Sequence, residues 1–275
     1  MAYIPLIARV NSLPPLPESV LKIEMLYAST DPDIDDIVKI IETDPILTAD
    51  ILAKVNAPLY GFSKSIVDIL QAVTLFGSTQ IRSIVLSSSI NRTFNIDLSP
   101  YGISTQEFSK ISMIQSELAF QWYMSIDIET ARRLMPIAFL METGKILIAK
   151  DILQDNKTKD FLKDIHKYSD ISYVENIYTN MSTAQINAIV FEHLHLNEIF
   201  YDTMKYLDTE KAIPDNTQSM KEIIIALRVV RAAVNVHDQL NDYSVENAVK
   251  IIEENSLNVE TFNRAVKRIK RKYFE

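Results

Sequence analysis

The side chains best equipped for proton transfer or metal ligation are four histidines, His166, His193, His195 and His237. His237 precedes Asp238, and an imidazole beside a carboxylate can hold a divalent metal that activates water. The only later aspartate, Asp242, is four residues on, which leaves no separate helix to bring a further ligand. The pair is therefore read as the polar end of a helix, where a cation is favoured. His193 and His195, two apart on a predicted helix, point about 200° apart and cannot share a metal unless the helix breaks there. Asp31, Asp33, Asp35, Asp36 and Glu42 imitate the spacing of a calcium loop, but the sixth position, which needs glycine, is Asp36. Thr143-Gly144-Lys145 has Phe139 where a phosphate loop has its first glycine, so the cradle of backbone N–H groups cannot form. Gly-x-Ser-x-Gly is absent, so no local signature supports serine catalysis.

Helices must position whatever these residues do. Val20, Ile23 and Leu26 recur on one side of a turn pattern, as do Ile34, Ile37, Val38 and Ile41. Alternation of the strand type is never sustained. Gly61, Gly77, Gly102 and Gly144 fall where helices can end, and Asp44-Pro45 reads as a cap followed by proline in the first turn. The spacing predicts helices near 17–29, 34–43, 45–55, 66–76 and 78–92. A break at 95–102 follows. Beyond it the pattern predicts 105–124, 128–153, 158–167, 171–179, 182–193, 197–208, 217–238, 244–254 and 258–272. The expected fold is all-α.

Composition narrows the function further. With 275 residues, one large domain or two lobes is expected at about 150 residues per domain. Zero cysteines exclude disulfides, thiolate metal sites and a cysteine nucleophile. A net charge of -8 opposes bulk binding to nucleic acid. No apolar run is long enough for a membrane span, and Arg9 and Asn11 interrupt the only candidate signal segment. A soluble, cytoplasmic protein is expected. Residues 264–275 hold six basic residues and one acid, leaving 22 basic against 35 acidic elsewhere. Val266 and Ile269 keep an apolar face there, so this stretch reads as a terminal helix rather than a binding tail. Phe120, Trp122, Tyr123, Phe191, Phe200 and Tyr201 fall in helical stripes and read as core.

Three stretches carry a family resemblance. The first is Leu13-Pro14-Pro15-Leu16-Pro17 before a helix. The second runs from Asp44-Pro45-Ile46-Leu47-Thr48 to Asn56-Ala57-Pro58-Leu59-Tyr60-Gly61, and the third is Ile66 to Gly77 with Ile81 to Leu86 after it. Together, over about 75 residues, they resemble the HDOD domain of bacterial signalling proteins, related to the metal-dependent HD phosphohydrolases. The resemblance continues less tightly to about residue 210. The residues that carry it are Leu13, Pro14, Leu16, Pro17, Asp44, Pro45, Leu47, Thr48, Asn56, Tyr60, Gly61 and Gly77. Physically they build helical corners: prolines remove donors, Asp44 caps, Asn56 bonds nearby backbone and Gly61 permits positive φ. Catalytic relatives carry a His-Asp dipeptide before a Gly-Lys, and here Met141-Glu142 stand in that place, before Gly144-Lys145. The upstream ligand falls near Ile111-Ser112, a later histidine near Gln185, and a His-His pair at Tyr206-Leu207.

The resemblance implies an N-terminal helical lobe (1–96) packed on an HD-like bundle (97–210) without its metal ligands, with C-terminal helices (211–275) completing the bundle. It implies a non-catalytic bacterial signal-transduction regulator that binds a protein partner, with no cofactor and no metal. Two alternatives are a nucleotide second-messenger sensor, with Arg132, Arg133 or Lys145 against phosphate, and a residual HD phosphohydrolase using His237-Asp238 with His193 or His195.

Overall fold

The structure, a computed structural model, describes residues 3–11, 13–29, 32–61, 64–92, 96–209 and 218–275. Asn95 and Asp31, the first residues of the expected break and of the calcium-like run, lie outside them. The fold is all-α. No strand forms among the described residues, and one isolated antiparallel bridge, Val234 to Gln239, closes a turn. No single described helix is long and apolar enough to cross a membrane.

The chain divides into two units, residues 14–95 and residues 1–13 with 96–275. The smaller unit contains α2 (Glu18–Ser29), α3 (Ile34–Glu42), α4 (Pro45–Val55), α5 (Ile69–Phe76) and α6 (Ser78–Arg92). Its core includes Val20, Ile23, Ile37, Ile41, Leu47, Ile51, Val55, Val73, Ile84 and Val85. Asp44 caps α4 by accepting from the Ile46 and Leu47 amides, and its second oxygen accepts from Ser19 Oγ at 2.8 Å, which ties α2 to α4. Thr48 Oγ1 donates to Ile41 O, fixing α4 against the end of α3. Asn56 clamps the following loop, donating to Leu52 O and Ile66 O and accepting from the Ile66 amide, each at 2.8 Å. Gly61 sits at φ 65, in the left-handed region, where the loop leaves its 3₁₀ turn Pro58–Tyr60. Arg82 makes a bidentate ion pair with Glu24 at 2.8 and 2.7 Å between α6 and α2.

The larger unit contains α1 (Tyr3–Asn11), α7 (Thr105–Tyr123), α8 (Ile128–Leu140), α9 (Gly144–Gln154), α10 (Thr158–Lys167) and α11 (Ile171–Thr179). It continues with α12 (Thr183–His193), α13 (Glu198–Leu207), α14 (Gln218–Ala233), α15 (Asp242–Glu254) and α16 (Val259–Tyr273). α7 and α9 are its buried shafts: Ile111, Ile114, Leu118 and Trp122 on the first, and Gly144 through Ala149 on the second, are all buried. Capping boxes start α7 at Ser104 and α12 at Ser182. α16 lies on α7, where Trp122 Nε1 donates to Thr261 Oγ1 and stacks edge-on against Phe262.

Three expectations need correction. Residues 3–11, read only as a failed signal segment, form α1, whose Arg9 pairs with Asp151 at 3.0 Å. The single helix expected over 128–153 is two helices with a corner at Met141-Glu142-Thr143. The helix expected to reach 238 stops at Ala233, so His237 and Asp238 sit in the turn after α14 rather than on it.

Candidate functional site

The corner between α8 and α9 gathers a cluster of buried polar and charged side chains, Glu142, Lys145, Glu175, Thr183, Gln115 and Asn187 among them. α8 ends where Asn187 of α12 donates to Met141 O at 2.6 Å, satisfying a terminal carbonyl. α9 begins at Gly144 because nothing larger fits: a Cβ there would stand 2.5 Å from Thr183 O and 3.2 Å from Asn187 Oδ1. The bare glycine lets the start of α9 close on the start of α12, and so carries Lys145 to Thr183.

The Lys145 ammonium is buried among oxygens. It lies 3.0 Å from Glu142 Oε2 and 2.8 Å from Glu175 Oε1 of α11, and donates to Thr183 Oγ1 at 3.2 Å. Glu175 also accepts from Tyr101 Oη at 2.9 Å, from Thr183 Oγ1 at 2.8 Å and from the Thr183 amide at 2.6 Å. Glu142 Oε1 accepts from Gln115 Nε2 at 3.1 Å, and the same amide nitrogen donates to Val234 O at 2.8 Å. Burial depresses the Lys145 pKa, but the charges of Glu142 and Glu175 outweigh it and the net shift is upward. Burial, with Glu175 beside it, holds the Tyr101 hydroxyl well above its ordinary range.

A second pair stands close enough to feel this charge. Arg231 of α14 is ion-paired with Asp208; burial opposes its charge, but Asp208 and then Glu142 and Glu175 outweigh it and the net shift is upward. Burial would raise Asp208, but Arg231, Ser182 and Lys145 outweigh it and hold the carboxyl below its ordinary value. Arg228 donates to Tyr206 O, Leu207 O and Thr209 O, capping the end of α13.

Of the residues singled out in the sequence, Glu142 and Lys145 enter this cluster, with Gly144 between them. The Lys145 ammonium faces Glu142 and Glu175. Arg132 and Arg133 sit in the first turns of α8, Arg132 against Glu129 and Arg133 exposed. His193 ends α12 with Nε2 3.1 Å from Leu13 O, and the helix does break there, because His195 adopts φ 55. His237 lies instead against His166 of α10, ring centres 5.0 Å apart and planes tilted by 42°; burial and then His166 lower its pKa. Ile111 and Ser112 are buried, and Gln185 closes the capping box on Ser182. Among the described residues, no three His, Cys, Asp or Glu side chains gather as a metal-binding group. The residues present do not fit the metal of the HD phosphohydrolases: histidines are missing from the ligand positions, and an ammonium already satisfies Glu142.

Gln115, Glu175, Thr183, Tyr101 and Arg231 were not singled out from the sequence. One signal was available for Glu175. It lies on the buried stripe of α11 with Val174 and Thr179, where a carboxylate demands a partner.

A curated relative from Treponema pallidum, an uncharacterized protein, is 31% identical over 84 residues, 30% of this chain and 16% of that protein's length. Among solved structures, a virulence factor from Campylobacter jejuni shares 25% identity at a TM-score of 0.59, covering 100% of this chain and 98% of that one. A protein from Marinobacter aquaeolei named for signal transduction has a TM-score of 0.70 at 17% identity, covering 95% and 58% of the two chains. One from Shewanella amazonensis named as a phosphohydrolase has 0.68 at 14%, covering 97% and 93%. At such identities the last two share the fold. The model of the HDOD domain matches residues 13–209, well over half of the sequence, and its corner residues Asp44, Asn56 and Gly61 perform the structural tasks described above. The chain belongs to the HDOD domain family.

Proposed function

We infer that this chain is a non-catalytic regulator in bacterial signal transduction, acting in the cytoplasm through a protein partner. The observation that carries this reading is the state of Glu142. It occupies half of the place where HD enzymes have their His-Asp dipeptide, its neighbour there is Met141, and its oxygens are taken up by Lys145 and Gln115. A metal-bound hydroxide needs several open ligands, and one engaged carboxylate does not supply them. The signal-transduction name of the Marinobacter neighbour supports the regulatory half of the reading. An exposed apolar strip supports the partner half. Val67, Leu70 and Leu75 are 74%, 49% and 52% exposed and line one shallow depression beside Gln71 and Thr74 on α5.

The test has two arms. Purified protein with manganese or magnesium is expected to leave cyclic dinucleotides and ppGpp intact, and metal-dependent turnover that disappears in Glu142→Gln would overturn the reading. A pull-down from native lysate is expected to enrich one signalling protein, and to lose it in Leu70→Asp. A nucleotide that co-purifies without any protein would instead favour a sensor.

A further inference from the structure

Three oxygens converge on the Lys145 ammonium: Glu142 Oε2 at 3.0 Å, Glu175 Oε1 at 2.8 Å and Thr183 Oγ1 at 3.2 Å. Their side chains are almost wholly buried, Glu142 and Thr183 at 1% exposure and Glu175 at 0%. Two carboxylates and one ammonium leave an excess negative charge, and the neighbouring cation, Arg231, is engaged by Asp208. A buried amide borders Glu142. Gln115 is fully buried, its Nε2 holds Glu142 Oε1, and its Oε1 has no hydrogen-bond partner. Carboxylate, hydroxyl and amide oxygens are what a hard divalent cation takes as ligands. A pair of carboxylates in a dry interior is untenable without positive charge.

We propose that Glu142, Glu175 and Thr183 form a cation site whose occupant is the chain's own lysine, and that removing the Lys145 side chain converts it into a site for a divalent metal ion. Calcium fits better than magnesium. Oxygens now 2.8–3.2 Å from Nζ need to close by about 0.5 Å to reach calcium's bond lengths, and by about twice that, into a strict octahedron, for magnesium. With Lys145 present the cage is filled and metal has no place in it. This goes beyond the regulatory reading and does not depend on it. Its readout is cation-dependent stability, whereas that reading stands or falls on hydrolysis and partner capture.

The experiment compares the melting of the full chain and its Lys145→Ala variant, both stripped with a chelator and then given calcium chloride. The melting point of the unaltered chain is expected not to move. Lys145→Ala is expected to melt lower without calcium and to regain about 5–10 °C when calcium is saturating, with a smaller response to magnesium. Adding Glu175→Gln to Lys145→Ala should abolish the gain. Lys145→Met, which fills the space of the stem without its charge, should be destabilised and stay unresponsive. If Lys145→Ala folds only when refolded with calcium, the proposal is supported. It is overturned if that variant responds no more than the unaltered chain, if Lys145→Met responds equally, or if Lys145→Ala fails to fold with and without calcium.

Discussion

At the scale of single residues, Gly144 decides whether the buried cluster can assemble. Its value lies in close approach, since its φ is not in the left-handed region. A methyl group on its Cα would meet a backbone carbonyl 2.5 Å away, and a carbonyl at a helix start cannot swing aside as a flexible side chain would. Gly144→Ala is therefore expected to force α9 and α12 apart and to cost about 1–3 kcal/mol, the range for overpacking a well-filled interior. Helix propensity alone would make alanine the better residue by about 1 kcal/mol, so the two effects have opposite signs and the measurement separates them. Urea unfolding reads it: a lower midpoint with unchanged slope is the expected result. A midpoint equal to or above that of the parent would show that the corner has slack. Lys145 would feel the same displacement, because its contacts with Thr183 and Glu175 depend on how closely those two helices meet.

At the scale of elements, the sequence was most readable where a local device stands alone. The Asp44-Pro45 start, the Asn56 to Gly61 exit and the all-α periodicity each follow from neighbours within a few residues, and the structure has all three. The corner at 141–143 was only half readable: Gly144 fell where a helix can end, yet one helix was expected to run on to 153, and Asn187, which takes the Met141 carbonyl, lies 46 residues away. The buried cluster failed for the same reason: Tyr101, Gln115, Glu142, Glu175 and Thr183 come from different elements, and no spacing rule joins them. α1 was missed because a short apolar stretch with Arg9 in it looks like surface until Asp151 is there to meet the arginine. The Asn56 clamp yields a prediction at this scale. Its amide makes three bonds, two of them across the loop to Ile66, so Asn56→Ala leaves the Ile66 N–H and C=O to water or to nothing. The loss is expected to be about 1–3 kcal/mol, with Asn56→Asp less severe because it keeps the acceptor. Hydrogen exchange at the Ile66 amide should accelerate more than at amides inside α4, and equal acceleration throughout would mean that the clamp holds the whole unit rather than the loop.

At the scale of the whole molecule, the region that matches the family is shorter than the stretch that builds the core of the larger unit. The match ends at residue 209 and begins at residue 13, yet the core of the larger unit continues on both sides. α1 buries Leu6 and Val10 and brings Arg9 to Asp151. α14 supplies Ile224, Leu227 and Val230 to the interior, Arg231 to Asp208 and Arg228 to the end of α13, and the turn after it gives Gln115 the carbonyl of Val234. α16 lays Phe262, Val266 and Ile269 in the interior, with Phe262 against Trp122. At about 1.5–3 kcal/mol for each buried large side chain, losing those last three alone removes an amount comparable to the 5–15 kcal/mol that holds a typical domain together. A chain cut to residues 13–209 would also leave Asp208 buried without its arginine, which costs more than losing a pair exposed to water. It is expected to be expanded and protease-sensitive. Trp122, the only tryptophan, reports this directly: its emission should shift to the red in the truncated chain and its near-ultraviolet circular dichroism should vanish. If instead the truncated chain unfolds cooperatively with the emission of the full chain, the helices beyond residue 209 are an appendage. The bundle would then be complete without the arginines and the aromatic cover that they bring to it.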